Sequence, residues 1–238
     1  MRLILKLLPE QSAPPNTVDR HHVQAMIYSH LMGTQYDGVH NTSSFKFFTF
    51  SNLFPGLEIR EDVPKNLIIS SPDEDFIETL AEKLEPVERL YLGKIPFRVQ
   101  SLKMFRLKPG KAFITDTPIV VPGRFERFFT FYRDGDINYF IERLTKNALK
   151  KYGAFTGETI ELNGPLFTKM VPYKRKKGWL DVYVRVHFSG HAKTIAGSLW
   201  KRLEFNIEPS TRTFYSFLLD SGLGMLNSLG FGFVNPVR

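Results

Sequence analysis

GLGMLNSLGFGFV, residues 222–234, is the stretch of this sequence that constrains the backbone most, because four glycines form two Gly-x-Gly pairs within it. They are Gly222, Gly224, Gly230 and Gly232. Glycine adopts left-handed backbone angles and lets other groups approach the backbone closely, whereas it weakens the interior of helices and strands. The cluster therefore predicts special backbone angles or close approach to a partner, between a predicted helix and a last predicted strand.

Two known glycine-containing motifs share part of this spacing. A dinucleotide-binding loop follows a strand and opens a helix, whereas this segment follows a helix, which excludes that motif. Residues 230–234 match the middle of the RNP1 motif of RNA-recognition motifs. Leu229 replaces the leading basic residue of that motif, Pro236 replaces its last aromatic residue, and RNP1 belongs on an internal strand. The RNP1 interpretation is therefore not favoured.

The pattern of apolar residues predicts the same order of elements in both halves of the chain. In the N-terminal half, strands are predicted at 2–8, 45–50, 57–60, 67–70 and from 87 to about 107, with helices from Asn16 or Thr17 to Gly33 and from Ser71 to Leu84. In the C-terminal half, strands or extended segments are predicted at 114–121, 128–132, 166–173, 179–188, 203–207 and 231–234, with helices at 137–151 and 210–221. The N-terminal order β-α-β-β-α-β is typical of a ferredoxin-like fold. We therefore expect an α+β protein with tandem ferredoxin-like domains, 1–111 and 112–238, and antiparallel sheets.

Composition and charge limit the classes of function. The 238 residues are 42% hydrophobic and 14% aromatic, which suffices for substantial cores. Without cysteine there can be no disulfide, thiolate zinc site or cysteine nucleophile. The net charge of +8 favours polyanionic partners, although a soluble protein that is merely basic is the alternative. The N-terminal stretch MRLILKLLPE is broken by Lys6 and Pro9, so we expect a strand of a soluble intracellular protein rather than a signal peptide or membrane span.

A second motif lies far from the glycine segment. Residues 40–53 read HNTSSFKFFTFSNL, a histidine followed by an aromatic TFSNL block. Together with Gly-Leu-Gly, five residues and Gly-Phe-Gly at 222–232, this block resembles the CRISPR RNA-processing endoribonucleases of the repeat-associated RNA-binding superfamily. The resemblance covers the whole chain in element order. Many family members carry a lysine or arginine between the two glycine pairs, whereas that stretch is neutral here.

The resemblance implies an activity and its partners. Such an enzyme cuts CRISPR precursor RNA within the repeats, using neither metal nor cofactor, and leaves 2′,3′-cyclic phosphate and 5′-hydroxyl ends. The product RNA stays bound, the enzyme is cytoplasmic and not membrane-bound, and further partners are effector-complex proteins or a second copy in a homodimer. The alternatives are a catalytically inactive homologue that binds CRISPR RNA and a structural subunit of an effector complex.

The resemblance also selects the catalytic residues. His40 is the expected general base, since histidine titrates near working pH, Lys46 the expected stabiliser of the phosphorane, and Tyr28 the orienting or proton-shuttling group. His30 is the substitute base. The alternative interpretation is that His40 is a solvated loop residue, Tyr28 a half-buried helix residue and Lys46 a charge at a strand edge. A metal site at His187 and His191 is not favoured, because Asp181 is the one carboxylate near them in sequence.

The expected RNA contacts are the four glycines and two basic groups. The basic groups are the turn Lys174, Arg175, Lys176 and Lys177, and the helix residues Arg143, Lys146, Lys150 and Lys151. Tyr173 and Trp179 flank the turn and could stack bases. Phosphates would bind to backbone amides of the glycine segment, as such amides do in other phosphate-binding loops, and to nearby Lys201, Arg202 or Arg212. A solvated hairpin tip is the alternative interpretation of the turn, and a tight helix-to-strand connection without a ligand is the alternative interpretation of the glycine segment.

Overall fold

A computed structural model describes residues 1–39, 44–124, 127–173, 180–188 and 191–237. In the N-terminal half the elements are β1 (Arg2–Pro9), α1 (Arg20–Leu31), β2 (Thr49–Phe50), β3 (Lys65–Ser70), α2 (Glu74–Leu84), β4 (Arg89–Leu92) and β5 (Ile95–Phe105). They form a five-stranded sheet in the order β2-β3-β1-β5-β4, with antiparallel pairing throughout. Without the added edge strand β4, this is the ferredoxin-like order, because the first strand lies between the third and the last.

The C-terminal half repeats this plan with one insertion. Its elements are β6 (Ala112–Thr115), α3 (Phe131–Asp134), α4 (Ile137–Thr156), β7 (Lys169–Pro172), β8 (Asp181–Phe188), β9 (His191–Ser198), β10 (Trp200–Glu204), α5 (Arg212–Ser221) and β11 (Val234–Pro236). The main sheet has the order β11-β6-β10-β7, and β8 and β9 form a separate two-stranded hairpin. The expected α+β fold with antiparallel sheets is confirmed. The division into domains 1–111 and 112–238 stays a prediction.

Alternating side chains build the N-terminal core. Leu3, Leu5 and Leu7 of β1 are fully buried, as period-2 alternation requires. They share one hydrophobic cluster with Ile27 of α1 and Leu80 of α2. Both helices therefore cover this face of the sheet.

Several predicted boundaries were wrong for identifiable local reasons. Helix α1 begins after Asp19, whose carboxylate accepts from His22 N, rather than after Asn16 or Thr17. The predicted strand at 57–60 is reduced to a bridge between Ile59 and Ala13. The predicted extended segment 128–132 instead leads into α3. The last strand is Val234–Pro236 rather than 231–234, because residues 231–233 complete the glycine-rich turn.

One buried cation joins the two halves. Arg2 on β1 is fully buried, and its guanidinium donates to Leu219 O (2.7 Å) and Val234 O (2.6 Å) of the C-terminal half. It also donates to Asn235 Oδ1 at 2.6 Å and forms an ion pair with Asp220 at 3.5 Å. Burial lowers the pKa of Arg2 to about 10, opposed by the Asp220 carboxylate, so the side chain stays charged at neutral pH. The start of β1 is thereby anchored to α5 and β11.

Candidate functional site

The glycine-rich segment, residues 222–234, packs tightly against other parts of the protein. All four glycines have positive φ, from 70° at Gly232 to 78° at Gly222. A Cβ atom at Gly232 would lie 1.9 Å from Leu223 O, and one at Gly230 would lie 2.3 Å from the Phe50 ring. The predicted special backbone angles are present, and these close contacts are with backbone and side-chain atoms of the protein itself. Close approach to a partner stays a prediction.

Most backbone amides of the segment donate within the chain. Gly222 N donates to Leu218 O, Gly230 N to Asn227 O and Gly232 N to Pro118 O, at 2.7–3.0 Å. Leu223 N donates to Gly232 O and Met225 N to Val120 O. The expectation that glycine amides bind phosphate is therefore wrong for Gly222, Gly230 and Gly232 in this conformation. RNA contact by the glycine segment through other atoms stays a prediction.

Helix α1 and the aromatic TFSNL block hold the segment from the N-terminal side. Arg20 donates to Gly230 O at 2.7 Å and to Asn52 Oδ1 at 2.8 Å, and its guanidinium carbon lies 4.7 Å from the centre of the Phe231 ring. Thr49 Oγ1 donates to Phe231 O at 3.2 Å. The two motifs that carry the family resemblance, distant in sequence, are thus in direct contact.

A buried lysine holds the segment from the C-terminal side. Lys151 on α4 is 1% exposed and donates to Gly222 O (2.6 Å) and Asn227 Oδ1 (2.8 Å). The Asn227 amide in turn donates to Leu223 O and Phe231 O, which ties the two glycine pairs together. Burial lowers the pKa of Lys151 to about 7. The expectation that Lys151 contacts RNA is therefore wrong, because its side chain is buried. Its anchoring role was missed, although its position three residues after Ala148 on the apolar stripe of α4 was an available signal.

Tyr28, one predicted catalytic residue, lies beside this segment. It is half-buried, and its ring packs edge-on against Phe48 with centroids 5.8 Å apart. Burial raises the pKa of its hydroxyl, opposed by hydrogen bonds with the Ser228 and Gln24 side chains. Gln24 also donates to Ser228 O at 2.9 Å. The Tyr28 hydroxyl is therefore directed towards the turn between the two glycine pairs and is neutral at ordinary pH.

Of the other two predicted catalytic residues, the structure describes Lys46. Lys46 donates to the carbonyl oxygen of Val39, the residue that precedes His40 in sequence. Burial lowers the pKa of Lys46. His40 lies outside the described residues, so convergence of Tyr28, His40 and Lys46 stays a prediction. The substitute base His30 is placed at the end of α1, with its Nδ1 2.8 Å from Met26 O.

The predicted RNA-binding cations are only partly described. Lys174, Arg175, Lys176 and Lys177 lie outside the described residues, as does Trp179. Lys146 forms an exposed ion pair with Glu142 on α4, and the Arg143 guanidinium carbon lies 5.8 Å from the centre of the Tyr139 ring. Both helix cations stay predicted RNA contacts. In the described ranges, no three His, Asp or Glu side chains cluster as metal ligands, and no helix there is long and apolar enough to cross a membrane.

Comparisons with known proteins extend these observations. Residues 102–236 match the family model described as "CRISPR associated protein Cas6, C-terminal". The chain is 42% identical over its full length, and the full length of the relative, to a Methanocaldococcus jannaschii protein named CRISPR-associated endoribonuclease Cas6 2. It is 27% identical to the Cas6 endoribonuclease of Haloferax mediterranei, covering 100% of this chain and 94% of that one. A solved structure described as "An RAMP protein binding different RNA substrates" superposes with a TM-score of 0.71 at 27% identity, covering 100% of both chains. The resemblance inferred from the two motifs is confirmed, and the chain belongs to the Cas6 family of CRISPR-associated proteins.

Proposed function

We propose that this protein is an endoribonuclease that cleaves CRISPR precursor RNA within its repeats. The observation that carries the proposal is the contact between the TFSNL block and the glycine-rich segment, in a chain 42% identical to a protein named as a CRISPR-associated endoribonuclease. In support of it, Tyr28 and Thr49 both contact the glycine-rich segment, at the seam between the two halves. A repeat RNA lying along this seam would reach both motifs at once.

The proposed chemistry is transesterification without a metal ion. The ribose 2′-oxygen attacks the adjacent phosphorus, the P–O5′ bond breaks, and the products carry a 2′,3′-cyclic phosphate and a 5′-hydroxyl. His40 takes the 2′-hydroxyl proton, and a proton must reach the leaving 5′-oxygen. Lys46 offsets the charge that grows on the phosphorane oxygens. The raised pKa of Tyr28 suits a neutral hydroxyl that orients the RNA or relays a proton, rather than a base.

Two features are proposed to bind the RNA, the net positive charge of the protein and specific basic side chains. A net charge of +8 favours RNA by counterion release. The turn Lys174–Lys177 and the α4 residues Arg143 and Lys146 are the proposed phosphate contacts. Because cleavage requires none of these contacts to break, the processed RNA is proposed to stay bound. Effector-complex proteins and a second copy of the chain are further proposed partners, and the cytoplasm the proposed location.

A cleavage assay with labelled repeat RNA tests the chemistry. Cutting is expected to persist in excess chelator and to stop when the nucleotide before the scissile bond carries a 2′-deoxyribose. His40→Ala is expected to lower the rate by about 10²–10⁴-fold, the usual contribution of a general base, while leaving RNA affinity unchanged. His30→Ala is the matched control and is expected to cleave normally.

Each outcome has a distinct meaning. Cutting of the 2′-deoxy substrate would refute the mechanism, and loss of cutting in chelator would refute its independence of metal. Normal cleavage by His40→Ala with loss in His30→Ala would move the base to His30. Repeat binding without any cleavage by the unaltered protein would favour an inactive RNA-binding homologue. Assembly of several copies along one RNA on size-exclusion chromatography would favour a structural subunit.

A further inference from the structure

A cavity lies on the hairpin side of the glycine-rich segment, and neither Tyr28 nor Lys46 lines it. It opens between the hairpin β8–β9, residues 122–123 and 127–133, and Met225 of the glycine-rich segment, with a volume of about 610 Å³. Its lining includes Arg127, Phe128, Arg133, Tyr183, Lys193 and Met225. A volume of this size is within the range of roughly 300–1,000 Å³ that is typical of small-ligand sites. The cavity therefore has room for a nucleotide-sized group.

Two aromatic rings face this cavity. Tyr183 on β8 is 56% exposed, and the residue directly opposite it on β9 is the small Ala196, which also lines the cavity. The small neighbour leaves a face of the Tyr183 ring uncovered. Phe128 forms another part of the wall, with Lys193 Nζ 5.5 Å from the centre of its ring. Of the two rings, Tyr183 therefore offers the uncovered face, and such a face is a surface on which unpaired bases stack.

The charged side chains that line the cavity are all positive. Among the described residues they are Arg127, Arg133 and Lys193, and each is exposed. The Arg133 guanidinium donates to Thr130 Oγ1 at 3.0 Å and to Phe128 O at 3.2 Å, which fixes its direction. Rings and cations together match a nucleotide that is unpaired, because base faces are inaccessible inside a duplex.

Hydrogen bonds and close packing within the protein hold the cavity wall in place. The Asp181 carboxylate accepts from Phe131 N (2.8 Å) and Tyr132 N (2.9 Å), which ties α3 to β8. A Cβ at Gly123 would lie 2.8 Å from Phe129 N, so these two lengths of backbone pack closely together. The lining residue Met225 donates from its backbone N to Val120 O at 2.8 Å, which fixes the glycine-rich segment beside the cavity. Ligand binding would need little reordering of this wall.

We infer that this cavity binds one unpaired nucleotide of RNA, with its base stacked on Tyr183 and a neighbouring phosphate held by Arg133 and Lys193. The inference rests on the proposed function for the identity of the nucleic acid as RNA. It adds a binding site on the hairpin side of the glycine-rich segment that neither Tyr28 nor Lys46 lines.

Binding of a short single-stranded RNA that carries 4-thiouridine tests the inference. Tyr183→Ala is expected to weaken binding about 5- to 100-fold, the loss typical of removing one base-stacking ring. Tyr183→Phe is expected to retain affinity. Tyr91→Ala is the matched control, because Tyr91 is 58% exposed on β4 of the other half. Irradiation of the wild-type complex is expected to cross-link the thiouridine to a peptide that contains Tyr183 or Phe128.

Unchanged affinity in Tyr183→Ala, or cross-links confined to other peptides, would overturn the inference. If Tyr183→Ala unfolds at a lower temperature than wild type, Lys193→Glu replaces it and is expected to weaken binding by charge reversal at the cavity rim. If the protein binds this RNA through Tyr183 but cuts no repeat, the cavity assignment stands and the proposed function fails. If it cuts repeats while Tyr183→Ala and Lys193→Glu bind normally, the reverse holds.

Discussion

Gly232→Ala should destabilise the protein because position 232 has no room for a Cβ atom. The added carbon would meet Leu223 O at 1.9 Å and Leu223 C at 2.9 Å, both backbone atoms that cannot rotate away. At a φ of +70° the alanine itself costs about 1–2 kcal/mol, and overpacking adds about 1–3 kcal/mol. We therefore expect a loss of about 2–5 kcal/mol in the free energy of unfolding.

Gly157→Ala separates the two contributions. Gly157 has a φ of +75°, and a Cβ there would have nothing within 4 Å, so this variant should lose only about 1–2 kcal/mol. Urea denaturation followed by circular dichroism measures both variants and the wild type. For a chain of this size, each kcal/mol corresponds to a shift of about 2–4 °C in Tm. Equal losses in Gly232→Ala and Gly157→Ala would refute the argument that position 232 requires glycine because of close backbone approach.

Three further predictions concern the buried cations. Arg2→Met should destabilise the protein by about 3–5 kcal/mol, because it leaves the buried carbonyl oxygens of Leu219 and Val234 without their donor and removes one of the two cations beside Asp220; a urea midpoint no lower than that of wild type would contradict this. For Lys151, burial lowers the pKa from 10.5 to about 7. The unfolded chain then binds more protons than the folded one between these values, so this residue makes unfolding free energy rise with pH from about 7 to about 10.5. Lys151→Met should remove that rise, as urea titrations at about pH 7 and about pH 9.5 would measure. Arg20→Ala removes the bonds to Gly230 O and Asn52 and should speed amide hydrogen exchange in the glycine-rich segment, and unchanged exchange there would count against its anchoring role.

The element order could be predicted because its signals are local. Successive side chains of a strand point to opposite faces, so Leu3, Leu5 and Leu7 share one face whatever packs against it. The predicted boundaries were less accurate, since Asn16, Thr17 and Asp19 can all cap a helix and only the folded backbone shows that Asp19 does so. The glycine cluster was correctly predicted to have special backbone angles, because positive φ is a property of single residues.

The site depended on contacts that no local pattern encodes. Sequence spacing could not show that the glycine-rich segment approaches Phe50 and Leu223 rather than presenting its amides outward. From the sequence alone, Arg2 and Lys151 are expected at the surface, since charged residues are rarely buried without partners. Their partners are backbone carbonyls and polar side chains brought near only by folding.

The sequence by itself determined the α+β class, the order of elements and the two motifs that mark the family. Only the tertiary structure decided that those motifs touch, that buried cations hold the segment between them, and that a basic aromatic cavity adjoins it. The physical reason is that periodicity and backbone angles are set by neighbours along the chain, whereas burial and hydrogen-bond partners are set by residues far apart in it.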